Sequence, residues 1–258
     1  ISGFLITSNI MEEIELKKFQ ISRFYAKRAL RLLPALYFVL LVCIPFSWFW
    51  MLPNQLKSFG ESLVAVSLFI SNVYFWKMSG YFSSISKEMP LLHTWSLGVE
   101  EQYYILFPIF MLIFFRFNLK PLFVIYILAV LSLILSEWGW RNTSQASFYL
   151  MPTRAWEILI GSILAFSVRK HGVRSSNIAT TLGLLVIIGS IFLFDKTIPS
   201  PSIYTLIPIS GVCCIILYSS ENSLISKILG TKVLVAIGLF SYSAYLWHQP
   251  LYAFARLR

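Results

Sequence analysis

Four groups of ionisable residues interrupt a sequence that is otherwise apolar. The first lies in FYAKRALRLLP, where Arg28 and Arg31 are three residues apart and Lys27 is four from Arg31. On a helix such spacings share a face, and two guanidiniums there could grip a phosphate or pyrophosphate through paired hydrogen bonds. Topogenic charge that also holds lipid headgroups is the plainer reading, and spacing alone favours it. The second group is PLLHTWSLGVEEQYYILFP, with His93 at the mouth of a helix, Thr94 or Ser96 able to cap it, and Glu100 and Glu101 in its first turns. A helix N-terminus stabilises carboxylates, so one of these acids needs no further role. Two adjacent acids point about 100° apart on a helix, and only one can easily face water. Glu100, Tyr103, Tyr104 and Phe107 make one stripe, and His93 lies two turns from Glu100, within reach of a shared cavity.

In the third group, FYLMPTRAWEILIGSILA, Arg154 and Glu157 are at i,i+3 and could simply neutralise each other. Gly161 in the same stretch permits close helix approach. The fourth, SYSAYLWHQPL, holds His248 late in a helix among Tyr242, Tyr245 and Trp247, with Pro250 just beyond. A lone imidazole in apolar surroundings is more often a packed residue than a base, so His248 gains weight only in company. His171, in RKHGVR, reads as exposed. Basic residues combined with imidazoles and carboxylates suit acyl transfer, in which an imidazole takes the proton of an attacking hydroxyl. They suit a proton-coupled carrier equally well, and spacing does not choose. The sequence has no P-loop, GxGxxG, HExxH or G-x-S-x-G pattern, which argues against an ATP-driven pump, a metalloprotease or a lipase-type hydrolase. Cys43, Cys213 and Cys214 all lie in apolar runs without metal-ligand spacing and read as small core residues. No metal site is expected.

The elements that must position these groups are membrane helices. Of the 258 residues 57% are hydrophobic and 12% charged, and the mean hydropathy is +0.74. A water-soluble domain carries about 25% charged residues, so lipid is the solvent that fits this surface. Trp48, Trp50, Tyr74, Trp76 and Trp95 fall at segment ends, as interfacial aromatic belts do. The net charge of +10 would suggest nucleic acid in a soluble protein. Here the basic residues lie mostly in short loops between apolar runs, so no nucleic-acid partner is expected.

Apolar runs at 1–10, 34–52, 58–76, 95–115, 121–136, 154–168, 177–194, 203–219 and 233–254 predict an all-α, polytopic transmembrane bundle. It should have about seven or eight membrane segments, after a helix remnant at the N-terminus. The chain is expected to form one transmembrane domain over 1–258, cut at both ends. The connection MEEIELKKFQISRFYAKRALRLLP is the most basic and should be cytoplasmic. If 58–76 dips in and returns, 13 Lys/Arg fall inside and 6 outside, against 11 and 8 for strict alternation. Counting Arg256 and Arg258 makes both tallies 13 and 8. Charge leaves the two topologies open. The re-entrant form is carried as the expectation, with Lys87 and Lys170 as the positions whose sidedness decides it.

These clusters, in this order, resemble the membrane acyltransferase 3 family, in the branch that O-acetylates bacterial O-antigen, peptidoglycan and related surface glycans. The resemblance rests on SGFLIT, the Arg28/Arg31 pair with Pro34, HTWSLGVEEQYY, RAWEILIG and SYSAYLWHQP, and spans nearly the whole chain. It implies a bacterial inner-membrane enzyme with no bound cofactor. Its acyl-CoA donor, most often acetyl-CoA, would be handled at the cytoplasmic side by Arg28 and Arg31, with Lys27 beside them. The acceptor would be a sugar hydroxyl of a lipid-linked or cell-wall glycan. Carried over residue by residue, the positions at issue are His93, Glu100, Arg154, Glu157 and His248, with Glu100 expected to orient an imidazole or position the acceptor. The family's first helix, with its Arg and its proposed catalytic His, would precede Ile1. Further helices and any SGNH-type domain would follow Arg258. From another class, a multi-pass transporter or glycan/lipid flippase could use the same residues to line a path, although no inverted repeat is visible. A purely structural membrane subunit is the third reading.

Overall fold

A computed structural model describes residues 1–79, 88–195, 197–220 and 223–258. The described residues are 84% helical, and no strand occurs among them. Among the described residues, three helical stretches are long and apolar enough to cross a membrane: Ile21–Trp50, Leu92–Arg116 and Pro121–Asn142. Two shorter apolar helices, Asn177–Leu193 and Leu206–Tyr218, match the expected runs at 177–194 and 203–219. Outward faces are apolar: α6 (Pro121–Asn142) turns Phe123, Val130, Leu131 and Ile134 away from the protein. Such faces are stable against lipid, where only the backbone must be satisfied internally.

The expected boundaries fail most at the basic connection. After α1 (Ser2–Glu15), the chain turns at Leu16–Gln20, with Lys17 in the left-handed region at φ 53°, and α2 (Ile21–Trp50) begins at once. Pro34 therefore lies inside a helix rather than at the start of one, and Pro45 follows it. Ala, Arg, Lys and Leu are good helix formers whatever their charge, so the basic face of FYAKRALRLL is a helix surface. Hydropathy alone sees it as a loop.

The chain forms two compact units, one of residues 1–18 and 107–237, the other of 19–106 and 238–258. In the first, α1 packs along α8 (Met151–His171). A Cβ on Gly161 would come within 2.8 Å of the Phe4 backbone nitrogen, so Gly161 does provide the close approach its sequence context suggested. Gly3 is tighter still against the Ile158 carbonyl. At the far end of the pair, the Arg169 guanidinium donates to the Glu15 carboxylate, Nε to Oε1 at 2.6 Å and Nη2 to Oε2. Gly3 beside Ile158 and Glu15 beside Arg169 make the two helices parallel. A second glycine contact, Gly183 against Gly211, joins α9 (Asn177–Leu193) to α10 (Leu206–Tyr218), and the short α11 (Leu224–Leu229) follows.

In the second unit the apolar run 58–76 is broken. It forms α3 (Pro53–Ser67) and α4 (Ser71–Ser79), joined at Leu68–Ile70 with Phe69 at φ 56°. The Tyr74 hydroxyl donates back to the Ser58 carbonyl at 2.9 Å. At 1.5 Å per residue the helices are about 22 and 13 Å long, short of the roughly 30 Å hydrocarbon core. The parallel pair α1/α8 bears on the same point. A chain that ends α1 and re-enters as α8 in the same direction crosses an odd number of times between. The helices α2, α5 (Trp95–Arg116) and α6 make three, and α7 (Ser144–Tyr149), six residues long, is too short to add one. If those three each cross and α1 and α8 span in parallel, the run 58–76 returns to the side it left. Single cysteines at Lys18 and Lys170 should react with a membrane-impermeant maleimide from the same side; labelling from opposite sides would overturn the parity. Lys87 lies outside the described residues.

Candidate functional site

The second unit gathers most of the candidate side chains, because α2, α5 and α12 (Lys232–Leu257) each present one polar stripe. At the start of α2 the Arg28 guanidinium grips Glu101: Nη2 donates to Oε1 at 2.7 Å and Nε to the same oxygen at 3.1 Å. Its central carbon lies 3.1 Å from the centroid of the Tyr104 ring. The two side chains are only 17% and 6% exposed. Charge-assisted pairing of this kind neutralises both groups. Arg28 is therefore engaged within the protein, whereas Arg31, one turn on, is exposed. Lys27 is exposed as well.

Glu100 is not brought to an imidazole. Its Oε2 accepts from the Tyr104 hydroxyl at 3.0 Å, so adjacent acids are served by different partners, as their divergence on a helix requires. The stripe through Tyr103, Tyr104 and Phe107 is buried. Glu101 and Tyr104 carry the arginine, and the candidate set omits both. Half of their signal was present: an acid buried in an apolar helix needs a cation, but one sequence does not tell which helix supplies it.

His93 and His248 do come together. They belong to the 3-10 turn Leu92–Thr94 and to α12, and their ring centroids are 5.0 Å apart at an edge-on 71°. Tyr245, one turn before His248, lies 5.0 Å from His93 in the same manner. Its hydroxyl is 2.6 Å from Ser96 Oγ and donates to the His93 carbonyl. His248 Nδ1 is 2.5 Å from the Tyr245 carbonyl oxygen. A carbonyl only accepts, so Nδ1 carries the proton and Nε2 of the neutral ring keeps its lone pair. His93 is 8% exposed, and among the described residues neither of its ring nitrogens meets hydrogen-bond geometry with a partner. Buried polar nitrogens are normally satisfied, so an unsatisfied imidazole facing a second imidazole is where a reacting group would be accepted.

The polar contacts continue along α12. Toward the basic end, the Tyr242 hydroxyl donates to the Leu32 carbonyl at 3.2 Å. Toward the other end, the Gln249 amide donates to the Met89 carbonyl at 3.3 Å. The order Arg28/Glu101, Tyr242, Tyr245/Ser96/His93, His248, Gln249 thus forms a column in this unit. From Arg28 to Trp50, α2 rises about 33 Å, close to the thickness of the hydrocarbon core.

Arg154 and Glu157 belong to the first unit. They pair with each other at 3.5 Å, the arginine Nε donates to the Phe148 carbonyl at 2.6 Å, and its guanidinium lies over the Phe148 ring at 4.8 Å. That is the mutual neutralisation their spacing allowed. No group of three His, Cys, Asp or Glu is placed to hold a metal among the described residues. The three cysteines are free, and Cys43 is buried.

An acyltransferase domain family profile matches residues 1–257. The chain is 31% identical to a peptidoglycan O-acetyltransferase, OatA, of Listeria monocytogenes over 97% of its own length and 43% of the relative's. It is 30% identical to an O-acetyltransferase OatA of Staphylococcus aureus, covering 98% of this chain and 45% of that protein. An uncharacterized Haemophilus influenzae protein is 31% identical, and the match takes in 87% of this chain and 97% of that one. The chain thus spans less than half the length of either acetyltransferase. No solved structure matches it significantly.

Proposed function

Because the chain belongs to the acyltransferase domain family, we propose that residues 1–258 form one transmembrane acyltransferase domain. It moves an acyl group, most simply acetyl from acetyl-CoA, to a hydroxyl of a cell-surface or lipid-linked glycan in a bacterial inner membrane. The relatives named for peptidoglycan and O-acetyl transfer favour a cell-wall glycan over an O-antigen. The observation that carries the reading is the imidazole pair His93/His248, set in a polar column that begins at a basic helix end.

The donor enters at that end. Arg31, exposed on α2, takes a phosphate of the donor, and Lys27 adds positive charge beside it. Arg28 holds Glu101, and through it the start of α2 against α5. From Glu101 to His93 the helix rises about 12 Å, a distance for the thioester arm to span. The acceptor hydroxyl then attacks the thioester carbon while its proton passes to His248 Nε2. The carbon–sulfur bond breaks, the leaving thiolate takes that proton back from His248, and the sugar ester remains. A hydroxyl such as that of Tyr245 or Ser96 stabilises the oxyanion between the two events. Glu100, tied to Tyr104, shapes the field along the column, and Arg154–Glu157 braces α8.

The test uses the full-length gene in a strain lacking its own glycan O-acetylation, with base-labile acetate on isolated surface glycan as the readout. Ester appears with the wild type and is absent with His93→Ala. Glycan reaching the surface without ester would instead support the transport reading.

A further inference from the structure

At the end of the second unit away from Arg28 lies a cavity of about 200 Å³. Its floor is Phe59 and Ser62, 3% and 2% exposed, and Met51, Met78 and Met89 supply apolar walls. The polar rim is Asn54, Gln55, Ser58 and Glu88. Gln55 is fixed from both sides: its oxygen accepts the Leu52 backbone N–H at 3.0 Å, so its amino group must face Glu88, and donates to Oε2 at 3.0 Å. Among the described residues nothing bonds the Asn54 amide or the Ser58 hydroxyl, and no side chain occupies Glu88 Oε1. Among the described residues the rim therefore offers one carboxylate oxygen, one amide and one hydroxyl to a ligand, over an apolar floor. No lysine or arginine is among the described residues that line the cavity.

We infer that this cavity is the subsite for one ring of the acceptor, a neutral or N-acetylated pyranose, resting on the proposed acyl transfer. A pyranose has hydroxyls around its edge and apolar C–H faces, and an N-acetyl group adds a methyl and an N–H donor. Rim and floor match these in turn: Glu88 and Asn54 take hydroxyls or the amide N–H, and Phe59 and the methionines cover the C–H face and the methyl. The Glu88 carboxylate on the rim repels a pyrophosphate or an acidic sugar. Glu88 is five residues before His93, and Gln249, next to His248, holds the Met89 carbonyl. The subsite thus adjoins the imidazoles on the side opposite the donor.

The test is binding without chemistry. N,N′,N″-triacetylchitotriose is titrated onto the full-length protein in nanodiscs, followed by saturation-transfer difference NMR. Saturable binding is expected, weakened about tenfold by Asn54→Ala or Glu88→Gln, the loss of one hydrogen bond to a polar or charged group. Asn54 is exposed, so its variant keeps the fold. A hyaluronan tetrasaccharide should bind less well to the wild type and gain in Glu88→Gln. No saturable binding of the triose, or binding unchanged in both variants, overturns the subsite. Binding that survives while no acetyl is transferred defeats the acyltransferase reading and leaves the sugar site standing.

Discussion

His248→Gln lowers acyl transfer by about 10²–10⁴-fold, the usual contribution of a general base, and leaves the protein folded. The glutamine amide can still donate to the Tyr245 carbonyl, as Nδ1 does, but it offers no lone pair of comparable basicity. His248 is exposed, so little packing is lost. His93→Phe separates chemistry from structure in the other direction. A buried imidazole with two unsatisfied nitrogens destabilises its surroundings by about 1–3 kcal/mol. Phenylalanine of similar shape should therefore hold or raise the melting temperature. A loss of transfer alongside unchanged or higher stability assigns His93 to the reaction; retained transfer makes it a packing residue. Both variants are read by ester formation and by thermal unfolding in detergent.

Arg28→Met unfolds or severely destabilises the second unit, by about 3–5 kcal/mol, because it strands the Glu101 carboxylate in a site where its side chain is 6% exposed. Adding Glu101→Gln recovers most of that loss, since removing both charges of a buried pair is often close to neutral. The double variant then asks what Arg28 does besides holding Glu101. Near-normal KM for acetyl-CoA in the double variant, with a KM raised at least tenfold in Arg31→Ala, places donor recognition on Arg31. A KM raised equally in the double variant returns Arg28 to the donor site. Thermal unfolding of the three variants and donor-saturation kinetics decide it.

The helical membrane class was legible because charge is scarce and apolar residues run in blocks. The four polar clusters were legible because a bilayer penalises them. What misled was reading helices from apolarity alone. Ile21–Ala29 is helical through its propensity, and 58–76 is a single apolar block broken by backbone turning at Phe69, which hydropathy does not register. Spacing placed Arg154 with Glu157 correctly because both lie on one helix. It missed Arg28 with Glu101, 73 residues apart, since nothing in one sequence tells which helices are neighbours. The same limit explains Glu100. Distance along its helix made it a partner for His93, while the turn at Leu92–Thr94 gave His93 to α12 instead.

The most direct measurement uses inverted membrane vesicles carrying the full-length protein, with labelled acetyl-CoA added outside and a lipid-linked glycan acceptor in the bilayer. The account predicts label on glycan facing the lumen, saturable in acetyl-CoA and lost in His248→Gln. Label confined to the outer face, or accumulating in the lumen without His248, contradicts transfer through this column.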